Sequence, residues 1–299
     1  MIQINPRNLN EIISYHTLYV ENYINYSALH DREKRYIKNN IEDILSINPN
    51  NFESIIEKIK VQNIDNNRLK KAFIGGSKYG GYIGYSKFSS KNTKPYNAYD
   101  LAEKLKITTC SYCNINSTYT VVKNRKKITR PTFDHFYDKA TYPILALSFY
   151  NLIPSCHICN SSLKGSTKFS IKTHLNPYSD SFNSLAKFQL EVKDSSFFYD
   201  EKGFKIELKT EDERAKNHIV SFELEALYEN HKDTVLELIQ KREIYPDSYI
   251  DELYQNYSFF NNREDVLQLI TGGYVEDKDL GKRPLSKLIK DISEELELI

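Results

Sequence analysis

All four cysteines of this chain fall in two C-x2-C pairs, Cys110–Cys113 and Cys156–Cys159, with 42 residues between them. Two intervening residues let both thiolates converge from one turn, and two such knuckles complete a closed tetrahedral zinc site. Four protein sulfurs leave no open position for water, so the Zn²⁺ predicted here is structural. Zinc held this way by small peptides is worth roughly 10–16 kcal/mol, comparable with the stability of a whole domain. Four unrelated thiols, or a thioredoxin-like redox pair, fit less well, because two pairs flanking one insertion point to a shared ion.

The remaining bounds are those of a soluble, globular chain. With 299 residues there is room for one or two domains with a real core. The longest apolar candidate, Tyr142 to Pro154, has 13 residues and contains Ser148 and Asn151, well short of the roughly 20 needed to span a membrane. Met1 to Pro6 shows no basic segment followed by an apolar stretch, so no secretory signal and a cytoplasmic location are expected. A reducing compartment agrees with thiolates on a metal rather than disulfides.

Net charge is only +1, but it is unevenly spread. Between Leu101 and Leu175 there are 11 Lys and Arg against 3 Asp and Glu, a local excess of +8 that leaves −7 for the remainder. Such an asymmetry suits the approach of phosphates; a solvated basic hairpin explains it equally well. Lys123, Arg125, Lys126, Lys127 and Arg130 are the candidate nucleic-acid contacts, with Lys164 a candidate for a phosphate or, alternatively, a solvated lysine.

Periodicity divides the chain into three regions. Residues 1–95 read as mainly helical: Leu9, Ile12, Ile13, Leu18 and Ile24 recur at helical spacing, as do Ile37, Ile41, Ile44 and Leu45, then Phe52, Ile55, Ile56 and Ile59. Five of the ten glycines cluster at Gly75, Gly76, Gly80, Gly81 and Gly84. With no GK[ST] ending they predict a turn or hairpin rather than a phosphate loop. Within 96–180, a short helix over 100–105 leads to the first knuckle, and strands over 119–123 and 127–133 form a hairpin that ends at Asp134-His135. Residues 181–299 are expected to be mainly helical from about Glu211, with an amphipathic helix over 287–298.

The insertion between the knuckles carries Asp134-His135 at the end of a strand, Asn151 sixteen residues after His135, and Asn160 nine residues further on. These residues, with the run N-L-I-P-S-C-H-I-C-N at 151–160 and Lys164-Gly165, resemble the HNH endonucleases, also called ββα-metal or His-Me finger nucleases. A zinc-bearing branch of that family brackets its catalytic hairpin with two C-x2-C knuckles, and the resemblance covers 110–177. It implies an α+β fold: a zinc-stabilised ββα-metal core flanked by mainly helical N- and C-terminal regions.

The resemblance also implies chemistry. His135, as a neutral imidazole with an ordinary pKa of about 6.5, can take a proton from water. Asp134, adjacent in a strand, points to the opposite face. In the family such an aspartate binds the divalent ion, and the residue at Asn160 supplies a second oxygen ligand. Two hard oxygen donors suit Mg²⁺ or Mn²⁺. Asn151 corresponds to the central Asn, which clamps the backbone of the intervening loop. Position 160 is Asn where the family's three-letter name has a second His. The implied reaction is hydrolysis of DNA, leaving a 5′ phosphate and a 3′ hydroxyl. RNA cleavage and a non-catalytic, zinc-stabilised nucleic-acid-binding protein are the alternatives.

His157 is expected at the surface and His174 packed or facing solvent, whereas His16, His30, His218 and His231 carry no signal. The phrase Tyr142-Pro143-Ile144-Leu145-Ala146-Leu147-Ser148-Phe149-Tyr150 and the tail Arg283-Pro284-Leu285-Ser286-Lys287-Leu288 also resemble the HNH component of Septu-type anti-phage pairs. That likeness implies an ATPase partner in antiviral defence, docked on the helical flanks.

Overall fold

A computed structural model of the chain describes residues 2–124 and 126–299; the expectation for Arg125 lies outside the described residues. Short helices and small two-stranded sheets make the fold α+β. The chain divides into two compact units. One comprises Ile4–Ile107 and Thr118–Asp180; the other is built chiefly from Thr108–Ser117 and Ser181–Ile299. The helices read over 1–95 thus share a unit with the strand pair that carries Asp134 and His135.

In that first unit, α1 (Leu9–Val20) buries Ile12, His16 and Val20, four residues apart along one face. Leu18, expected on the apolar stripe, is instead exposed, and a histidine fills the core position two residues before it. Helices α2 (Asp31–Asn39), α3 (Ile41–Ser46) and α4 (Phe52–Val61) bury the anticipated Ile37, Ile41, Ile44, Leu45, Phe52, Ile55, Ile56 and Ile59. After α5 (Asn66–Leu69) and a wide turn over Lys70–Ile74, the glycine cluster forms a tight turn in which Gly76 and Gly81 exchange backbone hydrogen bonds. Gly84 opens α6 (Gly84–Ser89) at φ +53°, where a Cβ would meet the Phe73 carbonyl oxygen at 2.3 Å. No side chain fits there. Helix α7 (Ala98–Leu105) starts on a capping box: the Asn97 side chain accepts from the Tyr99 N–H, and Asp100 reaches back to the Asn97 N–H.

The sequence led us to expect one hairpin running into Asp134-His135; two separate ones form. Strands β1 (Val121–Lys123) and β2 (Lys126–Thr129) pair with each other. Strand β3 (Thr132–His135) pairs with β4 (Leu152–Ser155), which precedes the second knuckle, setting Asp134 opposite Ile153 and His135 opposite Leu152. Pro131 separates β2 from β3, and lacking an N–H it cannot continue a ladder. A wide, π-type helical segment, Ile158–Lys164, begins within the second knuckle and packs against β3.

The second unit contains a regular hairpin that periodicity did not reveal, β5 (Lys187–Val192) with β6 (Phe204–Lys209), in continuous register. Helices α8 (Glu213–Ser221), α9 (Leu224–Tyr228), α10 (Lys232–Ile244), α11 (Asp247–Asn256), α12 (Arg263–Thr271) and α13 (Ser286–Glu295) complete it. Helix α13 covers β5 and satisfies its edge: Asp291 accepts from the Phe188 N–H and Glu295 from the Leu190 N–H. Asp291 is also paired with Lys287 one turn earlier, both fully buried. Among the described residues no helix is long and apolar enough to cross a membrane.

Candidate functional site

The four cysteine sulfurs come together: all lie within 4.8 Å of one another, and all four residues are buried. A tetrahedron of sulfurs each about 2.3 Å from zinc has edges of that order, so the cluster is positioned to bind a metal ion and is compatible with structural zinc. Each knuckle supplies N–H donors to its own sulfur. The Ile115 N–H and the Asn116 amide approach Cys113 Sγ at 3.4 and 3.7 Å, and the Cys159 N–H approaches Cys156 Sγ at 3.4 Å. Such contacts spread thiolate charge and orient the ligands. Asn114 at φ +55° completes the tight turn of the first knuckle, its N–H donating to the Cys110 carbonyl.

His135 ends β3 and is only 6% exposed. Its Nε2 lies 3.0 Å from the Ala146 carbonyl oxygen. A carbonyl can only accept, so Nε2 carries the proton and Nδ1 the lone pair. That lone pair faces Lys139, whose ammonium is 3.5 Å from Nδ1. The Tyr85 ring packs edge-on at 4.4 Å. Burial, with the Lys139 and Lys164 charges adding to it, holds the imidazole pKa well below its ordinary value. His135 is therefore neutral at pH 7, the form a general base requires.

Asn151 is fully buried just before β4, and its amide holds the loop that follows His135. Its Oδ1 accepts from the Tyr137 N–H at 2.7 Å, while Nδ2 donates to the carbonyls of Tyr137 (3.1 Å) and Leu145 (3.0 Å). One amide thus ties Tyr137 to Leu145 within the segment between the two strands.

Asp134 lies on the opposite face of β3 and is 5% exposed. Both its carboxylate oxygens accept from the Lys164 ammonium, at 2.8 and 2.7 Å, and the same ammonium donates to the His135 carbonyl at 2.6 Å. Lys164, considered from sequence as a phosphate contact or a solvated side chain, is buried at 4% exposed. Its place at the end of the segment packed on β3 brings it inward. Asn160 sits in that same segment, directly after Cys159 and four residues before Lys164. Its N–H donates to the Cys156 carbonyl, its side chain is half-buried, and no side-chain hydrogen bond of Asn160 forms among the described residues.

No family model, curated protein or solved structure matches this chain.

The basic residues separate by surroundings. Lys123 and Lys126 are exposed on the β1–β2 hairpin. Lys127 is engaged by Asp100 at 2.8 Å. Arg130 lies over the rings of Tyr99 and Phe133 and donates to the carbonyls of Pro131 and Ser89. Internal partners thus hold Lys127, Arg130 and Lys164. His157 is exposed, as expected, and His174 is packed, stacked on Phe169 with ring centroids 3.6 Å apart. Burial, reinforced by the Lys164 charge, lowers the His174 pKa to about 4.

Sequence reasoning passed over two participants. Tyr85, in α6, forms one wall around His135. His16, in α1, donates from Nε2 to the Leu147 carbonyl at 2.9 Å, one residue beyond the carbonyl that His135 holds. The only signal for His16 was its fit to the four-residue spacing of the Ile12–Val20 stripe, which reads as packing.

Proposed function

We propose that this chain is a zinc-stabilised nuclease of HNH type that hydrolyses DNA phosphodiester bonds. The observation that carries the reading is the state of His135: Nε2 is committed to the Ala146 carbonyl, so the lone pair of the neutral, sequestered imidazole is on Nδ1, 3.5 Å from the Lys139 ammonium. The antiparallel β3–β4 pair, the helical segment packed on β3 and the four-sulfur cluster support it, as does the Asp134-His135, Asn151 and Asn160 pattern.

In this reading His135 Nδ1 takes the proton from the attacking water, and the imidazolium formed is held through its Nε2–H bond to Ala146. Asn151 fixes the loop that presents that carbonyl. Asp134 and Asn160 are the oxygen donors that would hold a divalent ion, and Mg²⁺ or Mn²⁺ there would neutralise charge on the phosphate and the leaving oxygen. The donor types fit: a carboxylate and an amide oxygen are hard donors of the kind such ions take, and among the described residues the Asn160 amide has no competing side-chain bond. Lys123 and Lys126 are the exposed candidates to follow the nucleic-acid backbone.

One observation favours a second reading. Asp134 already has a full cationic partner in Lys164, as a zinc-stabilised nucleic-acid-binding protein without catalysis would require. Purified full-length protein incubated with plasmid and with a single-stranded RNA, each with Mg²⁺ or Mn²⁺ and with a chelator control, separates the readings. Ion-dependent nicking of plasmid supports the nuclease; binding of either substrate with no cleavage supports the second reading. Cleavage of the RNA alone moves the assignment to an RNA nuclease.

Partnership with an ATPase in anti-phage defence remains part of the proposal and rests on the phrases at 142–150 and 283–288. Residues 143–149 are buried, and Leu145, Ala146 and Leu147 give their carbonyls to side chains of the site. The first phrase therefore has an internal role, and a partner would have to use other surfaces. A pull-down with the full chain that yields no ATPase removes this part.

A further inference from the structure

Three successive carbonyls in the loop before β4 each accept a side-chain hydrogen bond. Leu145 accepts from Asn151 Nδ2 at 3.0 Å, Ala146 from His135 Nε2 at 3.0 Å, and Leu147 from His16 Nε2 at 2.9 Å. The next residue, Ser148, donates from Oγ to the Ile44 carbonyl at 2.6 Å. His16 is fully buried, and its tautomer is fixed from both sides: Nε2 must donate to a carbonyl, so Nδ1 accepts from the Tyr96 hydroxyl at 3.1 Å. Helix α6 touches both histidines, Tyr85 packing on His135 and Phe88, one turn on, packing on His16 at 5.4 Å.

We infer that His16 is a positioning residue for His135, acting through the backbone of Ala146-Leu147. This rests on the reading of His135 as the general base. The orientation of the imidazole and its tautomer depend on where the Ala146 carbonyl points. The planes of successive peptides are linked only by φ and ψ at the shared residue, so holding the carbonyls on either side fixes the middle one. Asn151 holds the preceding carbonyl from the residue just before β4; His16 holds the following one from an element 131 residues away in sequence. Any buried histidine needs partners for both ring nitrogens; what is particular here is that one partner is the carbonyl next to the one that His135 holds. The arrangement makes α1 part of the site rather than a flank.

The test uses full-length protein carrying His16→Phe, His16→Gln or Tyr96→Phe, each checked for zinc content and cooperative unfolding. ¹⁵N-detected imidazole spectra report the His135 tautomer directly, and plasmid nicking with Mn²⁺ reports kcat and KM. In wild type, His135 should show a protonated Nε2 and a bare Nδ1. His16→Phe should mix the two His135 tautomers and lower kcat about 10–100-fold, the scale of a misplaced reacting group, with KM for DNA unchanged. His16→Gln, whose amide can still donate to Leu147, should restore the tautomer and stay within about 3-fold of wild type. Tyr96→Phe, removing the donor to His16 Nδ1, should fall between them and serves if His16→Phe does not fold. A folded, zinc-loaded His16→Phe or Tyr96→Phe with a wild-type His135 spectrum overturns the inference. If the protein does not cut nucleic acid at all, the nuclease reading fails, while the spectra still decide whether His16 governs His135.

Discussion

The Lys164 ammonium sits 2.8 and 2.7 Å from the two carboxylate oxygens of Asp134, with both side chains about 95% removed from solvent. A buried carboxylate needs a cation, and this chain brings its own. Breaking such a pair by removing one partner costs about 3–5 kcal/mol, because the remaining charge is stranded.

Replacing Lys164 with Met should therefore lower the Tm in metal-free buffer and make the protein more responsive to divalent ions. Mn²⁺ added to Lys164→Met should recover most of the lost stability and bind about 10-fold tighter than to wild type, a shift of about 1.4 kcal/mol. Thermal unfolding with and without Mn²⁺, together with calorimetric titration, measures both. Pairing Lys164→Met with Asp134→Asn should abolish the response, since no carboxylate remains to attract the ion. If Mn²⁺ stabilises wild type and Lys164→Met equally, the ammonium and the ion do not share Asp134.

How much of this could be read beforehand depended on range. The sulfur cluster was legible because C-x2-C is a local signal. The stripes at Ile37–Leu45 and Phe52–Ile59 were legible because helical spacing repeats within a few residues. The start of the Asp134-His135 strand was misplaced because Pro131, which cuts the strand in two, acts through a single missing N–H amid an otherwise β-like run. Lys164 was unreadable for another reason: its partner lies 30 residues away, and a lysine beside a glycine looks like surface. His16 was hidden further still, since a buried histidine and a ligand to a distant carbonyl have the same sequence appearance.

Converting His135 to Ala should leave zinc content and unfolding close to wild type and remove cleavage, by at least about 10²–10⁴-fold as expected for a lost general base. Among the described residues the imidazole's polar contacts are one hydrogen bond to Ala146 and a long one from Lys139, and it packs edge-on with the Tyr85 ring. Nicking rates with Mn²⁺, alongside metal analysis, decide the matter. Retained cutting by a clean preparation of His135→Ala rejects the assigned base.

Substituting Cys110 or Cys159 with Ser should reduce bound zinc and collapse the cooperative thermal transition. Zinc binding through four thiolates rivals the whole folding free energy of a domain, roughly 10–16 kcal/mol against 5–15 kcal/mol. Metal release can be followed with a chromophoric chelator while a mercurial titrates the thiols. A sharp, wild-type transition in zinc-free Cys159→Ser would mean the sulfurs lie close together without holding the fold.

Acid should destabilise the protein partly through His16. Burial lowers its pKa to about 4, despite the bond to the Leu147 carbonyl, which acts in the opposite direction. Unfolding returns the ring to water and to a pKa of about 6.5. Between those two values the unfolded chain takes up a proton that the folded one refuses. The contribution is thus complete above pH 6.5 and is lost as pH falls to about 4, a change of about 3 kcal/mol. His16→Gln cannot titrate, so the wild-type unfolding free energy in urea minus that of the variant should fall by about 3 kcal/mol as pH is lowered through this window, whatever the gap at pH 7. Because His174 and His135 are present in both proteins, their own acid losses cancel in the comparison. A gap that stays constant from pH 7 to pH 4.5 would mean that the ring at position 16 is not held neutral against solvent.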